Sequence, residues 1–455
     1  MFCGILLLYF NTMIKKSKRL LIYGIVFLCL VGMAVAYMRN NALPFIIFNT
    51  IQFYFAGDPA EGVGYVPVND DDFTVSILAS GFNAPTRVVL APDSAHLLVT
   101  QLTGEVLALS RDNGVWNNTP RLVGKIETSV PGFPPEELGL VGMVFASDYE
   151  DTGNVFFLYT YKNSDGGVEN RVSIVSLKER FGSLVFATEP QKIFTANVPG
   201  NFSHQITDGI GVEVEGKSHL LFLIGEGFDA TRAQDLALEG GKVMLIQVDG
   251  SNPLGMRPYP KHPKIQAVGI RNAYTMAQNQ YDTRKRVLIG DTGPDTNDRI
   301  MYAPLFLENR ISGTPLNLSW DGSVDSLKRA IRDPFETAIK DIVLTRLPKT
   351  ETFVGLSVHP GGGVIPPSTA KEQSVLALVF GKTGSKKNSP GKALWLGQLK
   401  QVSHQPKITF TPIIIRSPEV EGSIGNPIGL TVDSQTGDIF FADILEGRVY
   451  VVSPK

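Results

Sequence analysis

The chain has 455 residues, 43% of them hydrophobic and 19% charged, with 45 Gly, 29 Pro and a formal net charge of -2. Such a length exceeds what one ordinary core fills and predicts two or three domains or one repetitive fold, while the balanced charge excludes the basic surface that nucleic acid requires. Both cysteines, Cys3 and Cys29, lie in the N-terminal hydrophobic region, so the rest of the chain has neither a disulfide framework nor a thiolate metal site.

Residues 1–19 read as a cytoplasmic N-terminus. Leu20 to Met38 is a run of 19 uncharged, mostly apolar residues, close to the length a helix needs to cross the hydrocarbon core. Lys15, Lys16, Lys18 and Arg19 precede it and only Arg39 follows closely, a bias that keeps the N-terminus inside and sends the body across. The expectation is one transmembrane helix anchoring an extracytoplasmic body. A cleaved signal ending near Ala34-Val35-Ala36, and hence a secreted protein, is the alternative. Residues 39–72 form a juxtamembrane linker, in which the aromatic-rich Leu43 to Phe55 suits either the membrane interface or a buried first strand.

From Phe73 to the end, short apolar or alternating runs are separated by Gly, Pro, Asn and Asp, with little 3.6-residue periodicity; this is an all-β pattern. One unit of strand, turn, strand, small-residue turn and strand recurs six times, with second strands beginning near Leu97, Val155, Leu220, Val287, Val375 and Ile439. Six such units predict a six-bladed β-propeller over residues 73–455, because a blade of about four strands cannot bury both faces alone and packs radially on its neighbours. The long fourth interval predicts an insertion around Asn317 to Lys349, and Phe73 to Leu78 is expected to complete the last blade and close the ring.

Several phrases in order carry a family resemblance: GFNAPTRVVLAPD (Gly81 to Asp93), GLVGMVFASDYEDTGNVFFLYT (Gly139 to Thr160), His204-Gln205, GGKVMLIQVDGSNP (Gly240 to Pro253), GIRN (Gly269 to Asn272) and TGPDTNDRI (Thr292 to Ile300). The chain resembles the soluble pyrroloquinoline-quinone (PQQ) sugar dehydrogenases, the glucose and sorbosone dehydrogenase-like propellers. The resemblance implies oxidation of an aldose or related polyol by hydride transfer to PQQ with calcium. It makes His204 the base, a role that suits imidazole, and Glu226 its orienting carboxylate, where the family has aspartate. Arg271 and Asn272 match an Arg-Asn pair beside substrate and quinone, and Arg271 would there neutralise developing negative charge. The carbonyls of Gly293 and Pro294 match those that bind calcium.

Three positions depart from the family pattern. Glu137 stands where a glutamine contacts the quinone, placing an anion beside a cofactor with three carboxylates. An arginine expected before the last inner strand is missing from Gly422 to Pro427, where Asn426 stands. Lys382, with Lys386 and Lys387, lies near the family's cofactor-facing lysine, and a flexible basic loop is the alternative reading. These departures leave open a non-catalytic propeller binding a glycan or protein partner, and a calcium lactonase-type hydrolase as a third reading.

Overall fold

Long apolar strands punctuated by turn residues build, among the described residues, six sheets that are antiparallel except for one short strand and bury their inner and middle strands. The computed structural model describes residues 63–128, 137–163, 167–199, 203–248, 264–282, 285–294, 297–304, 315–323, 343–347, 352–381, 392–402, 405–417 and 426–455. The expected transmembrane helix and most of the linker lie outside them. No helix among the described residues is long and apolar enough to cross a membrane.

The blades follow one another in chain order. From inner to outer strand, blade 1 is Pro85–Leu90, His96–Gln101, Glu105–Asp112 and Arg121–Lys125, and blade 2 is Leu140–Phe145, Asn154–Lys162, Val168–Arg180 and Gln191–Asn197. Blade 3 is Ile206–Val214, Lys217–Ile224, Lys242–Gln247 and Lys264–Val268; blade 4 is Ala273–Gln278, Val287–Asp291, Asp298–Ala303 and Val343–Leu347. Blade 5 is Phe353–His359, Glu372–Val379, Ala393–Val402 and Gln405–Arg416. Blade 6 takes Pro427–Val432, Ile439–Asp443 and Arg448–Pro454 from the C-terminus, and its outer strand is Phe73–Ser80, with Phe73 opposite Pro454. The expected closure is therefore observed, as are all six second strands.

Two features differ from the sequence reading. The interval around Asn317 to Lys349 is not wholly an insertion: Leu316–Asn317 runs parallel to the outer strand of blade 3, and Val343–Leu347 is the outer strand of blade 4. Ahead of the closing strand, Tyr65–Pro67 adds a fifth strand to blade 5, with Tyr65 opposite Arg416. Both depend on partners distant in sequence, which local pattern does not encode.

An apolar layer fills each space between neighbouring blades. Leu98 and Val106 meet Met143 and Phe157 between blades 1 and 2, Phe156 and Val172 meet Leu220 and Phe222 between 2 and 3, and Leu221 and Val243 meet Ile289 and Met301 between 3 and 4. Leu288 and Ile300 meet Val375 and Trp395 between blades 4 and 5, Leu376 and Leu394 meet Phe441 and Tyr450 between 5 and 6, and Phe440 and Val449 meet Val88 and Val99 between 6 and 1. Each fully buried Val, Leu, Ile or Phe stabilises by about 1.5–3 kcal/mol, so the ring is held by interfaces of similar kind all the way round.

In every blade the pairing of inner and second strand slips near the start of the inner strand. A bulge there raises the local twist and re-aims side chains, and it falls at the end of the ring where the candidate residues stand. Just inside that end, Arg87 of blade 1 reaches across to Asp208 of blade 3 at 3.3 Å and donates to the Tyr274 carbonyl of blade 4 at 3.3 Å.

Candidate functional site

Chain direction brings the candidate residues to one end of the propeller. Glu137, His204, Arg271-Asn272 and Asn426 each stand just before an inner strand, and Glu226 and Thr292-Gly293 just after a second strand. Because the second strand is antiparallel to the inner one, the end of one lies beside the start of the other.

His204 is the centre. Its imidazole is buried, and its Nδ1 lies 3.1 Å from Glu226 Oε1, so a carboxylate acceptor favours the tautomer with the proton on Nδ1 and the lone pair on Nε2. Among the described residues Nε2 has no hydrogen-bond partner. The backbone of His204 is left-handed, at φ 59°, a conformation costing a non-glycine residue roughly 1–2 kcal/mol. It is held there from both sides: the His204 N–H donates to Glu137 Oε2 at 3.0 Å, and the His204 carbonyl accepts from Gly227 N at 3.0 Å.

The turn that presents Glu226 requires glycine at one position. A Cβ on Gly225 would stand 2.6 Å from the carbonyl carbon and oxygen of His204, so only the bare backbone lets the Ile224-Gly225-Glu226 turn lie against the base. Glu226, also buried, is tied on its other oxygen by the indole Nε1 of Trp320, and Arg271 Nε lies 3.9 Å from Oε1. The glutamate thus spans the distance to His204 despite its extra methylene.

Glu137 ties three blades together. The same oxygen that accepts from His204 N accepts from Asn272 Nδ2 at 3.2 Å. Arg271 and Asn272 are fixed through their backbone, their N–H groups donating to Asp291 Oδ1 at 3.1 and 2.9 Å. Asp291 is in turn clamped by Arg299 at 2.8 Å, an ion pair with both partners fully buried. Arg271 also donates through Nη1 to the carbonyls of Thr292 and Gly293, at 3.2 and 3.1 Å. The carbonyl expected to face calcium therefore meets a guanidinium, and Arg271 bonds loop carbonyls as well as facing Glu226. Pro294 is half-buried beside it.

The structure thus gathers His204, Glu226, Arg271, Asn272, Glu137 and Gly293. Asn426 is buried at the corresponding end of blade 6; its carbonyl accepts from Ile444 N at 3.0 Å, and no hydrogen bond or ion pair among the described residues joins it to the others. Lys382 lies outside the described residues. Among the described residues, Asn272 Oδ1, Thr292 Oγ1 and Asn426 Oδ1 are buried without a hydrogen-bond partner, and no group of three or more His, Cys, Asp or Glu is placed to hold a metal ion.

Sequence reasoning missed two members. Trp320 lies in the interval read as an insertion, and a lone Trp-Asp-Gly turn gives no local signal of contact with Glu226. Phe228, two residues beyond Glu226, stacks on the imidazole with ring centroids 3.9 Å apart and planes 17° apart. Its place in the same turn as Glu226 is the local signal that marks it.

Part of the propeller is similar to a known family. Residues 82–303 match the family described as Glucose / Sorbosone dehydrogenase, which bears out the resemblance over that stretch. Among individual proteins, quinoprotein glucose dehydrogenase B of Acinetobacter calcoaceticus is 22% identical over 270 residues, covering 54% of this chain and 54% of its own. The match thus spans about half the length of that curated relative. The solved structure of the soluble aldose sugar dehydrogenase of Escherichia coli, in its apo form, superposes with a TM-score of 0.56 at 17% identity, covering 84% of this chain and all of that one. The PQQ-bound form of aldose sugar dehydrogenase from Streptomyces coelicolor gives 0.54 at 17% identity, covering 86% and 100%. These two likenesses are of fold.

Proposed function

We propose that the chain is an extracytoplasmic oxidoreductase of the PQQ sugar dehydrogenase type, acting on a hydroxyl of an aldose or related polyol. The observation that carries this reading is the His204–Glu226 pair at 3.1 Å, with Nε2 of His204 left to accept a proton. Glu226 keeps the Nδ1 proton in place and stabilises the imidazolium that forms, which is the role of a base and its orienter in general-base catalysis. Trp320 and Arg271 keep the carboxylate from turning away.

Only part of the rim fits a cofactor with calcium, because Arg271 already holds the Thr292 and Gly293 carbonyls. Asn272 Oδ1 and Thr292 Oγ1 are buried oxygens that no described residue satisfies, and hard cations take such oxygens together with backbone carbonyls. Arg271 and Asn272 would hold the cofactor, and the chemistry that PQQ supplies when bound is acceptance of the hydride released as the substrate hydroxyl becomes a carbonyl. Glu137 adds negative charge beside this rim, and that charge favours the alternative of a propeller that binds a glycan or protein without turnover.

The test is dye reduction by the purified full chain with PQQ and calcium across an aldose and polyol panel, with PQQ binding followed in parallel. Turnover that His204→Ala abolishes supports the enzyme. Absence of both turnover and PQQ binding, with retention of a glycan on an array, supports the binding propeller. Anchoring through Leu20 to Met38 belongs to the same proposal: protease added outside intact cells would digest the body while it sediments with membranes, whereas a soluble body marks a secreted protein.

A further inference from the structure

We propose that Phe228 is a positioning residue for the base, setting the plane of the His204 imidazole and so the direction of Nε2; this rests on His204 acting as the base. A hydrogen bond from Nδ1 to Glu226 fixes one edge of the ring but does not by itself set the ring plane, since the terminal torsion of histidine is soft and broad. A ring lying face to face with it removes that freedom. The Phe228 ring does so at 3.9 Å and 17°.

The cost of this arrangement argues that it serves the site rather than the core. Phe228 is 51% exposed although it is a large apolar side chain, so ordinary burial does not explain its position. Its backbone is left-handed at φ 61°, next to Gly227 at φ 65° and opposite His204 at φ 59°. Strained non-glycine backbone persists where its surroundings over-determine it, and it clusters at functional sites. Here two strained residues far apart in sequence meet ring to ring, and the turn that presents Phe228 also presents Glu226. One loop therefore supplies both the edge contact and the face contact of the same imidazole.

Replacing Phe228 with leucine keeps an apolar side chain and removes the flat face. Phe228→Leu is expected to lower kcat by about tenfold to a hundredfold, because misplacing a reacting group by about 1 Å costs that order, with KM changed by less than about threefold. Phe228→Tyr restores the face and is expected within about threefold of wild type. Imidazole NMR of the full chain in detergent at fixed pH supplies the readout that does not need turnover. The His204 ring protons, shifted upfield by the stacked phenyl ring in wild type and Phe228→Tyr, lose that shift and broaden in Phe228→Leu. If kcat is unchanged in Phe228→Leu, or if its His204 resonances keep their wild-type positions and widths, the proposal fails. Should wild type prove inactive with PQQ and every sugar, the proposed function fails and the NMR comparison still decides whether Phe228 holds the ring.

Discussion

Arg299→Met probes the scaffold behind the site. The Arg299 guanidinium is fully buried and uses all of its N–H donors: Nε and Nη2 on Asp291 Oδ2 at 3.2 and 2.8 Å, Nη2 on the Gly269 carbonyl at 3.0 Å, and Nη1 on the Leu318 carbonyl and Ser319 Oγ at 2.5 and 3.0 Å. Methionine fills much of the same volume but leaves the Asp291 carboxylate buried and uncompensated, and breaking a buried pair on one side costs about 3–5 kcal/mol. Asp291 also receives the Arg271 and Asn272 N–H groups, so the loss is expected to loosen the rim as well as the fold. Urea unfolding gives the free energy, and a cycle with Asp291→Asn and the double variant isolates the pair. We expect Asp291→Asn/Arg299→Met to be more stable than the sum of the single losses predicts by at least about 1.5 kcal/mol, within the range for residues in contact. Strict additivity, or a loss for Arg299→Met below about 1 kcal/mol, the level of an ordinary hydrogen bond, would refute the reasoning.

Two further outcomes follow from the site and the rim. Gly225→Ala puts a Cβ 2.6 Å from the His204 carbonyl atoms, roughly 0.9 Å inside the ~3.5 Å at which carbon atoms begin to attract. The shift needed to relieve it is expected to lower kcat by tens-fold, since about 1 Å costs about a hundredfold; dye-reduction kinetics within twofold of wild type would count against the packing described. Where the inner strand of blade 6 ends beside the third strand of blade 1, burial tends to raise the Asp433 carboxyl, but N–H donation from Gln435 and the Arg111 ion pair at 2.6 Å outweigh it, leaving its pKa below the usual aspartate range. A depressed folded value gives stability that is fully present above the unfolded value of about 3.9 and is lost as pH falls through the folded one. Asp433→Asn is therefore expected to flatten the acid limb of urea stability plotted against pH, and an unchanged limb would contradict the assignment.

Much of this molecule was readable from one chain because its architecture repeats. Each second strand is a buried run bounded by turn residues, such as His96–Gln101 or Ile439–Asp443, and local pattern is enough to find it. The loop residues His204, Glu226 and Arg271-Asn272 were legible through the order of motifs, and their meeting follows from the alternation of strand directions. What stayed hidden depends on contacts between distant segments. Trp320 reaches Glu226 from a stretch whose strands pair with two different blades, and Tyr65–Pro67 joins blade 5 by pairing with residues near the other end of the chain. Which loop carbonyls Arg271 would bond was also beyond sequence, because side-chain direction at a bulged strand start depends on local twist.

The shared construction of blade 6 bears on how the protein is made. Thr74 and Ser453, partners in its outermost pair, are 379 residues apart. At translation rates of about 5–20 residues per second, the first strand waits roughly 20–75 s for its neighbour to leave the ribosome. Throughout that time Phe73–Ser80 is a strand edge without a mate, and blade 1 lacks the apolar face that blade 6 will bring. The nascent chain thus stays open to mispairing until Arg448–Pro454 emerges, so a truncation that removes this strand falls on the closing step.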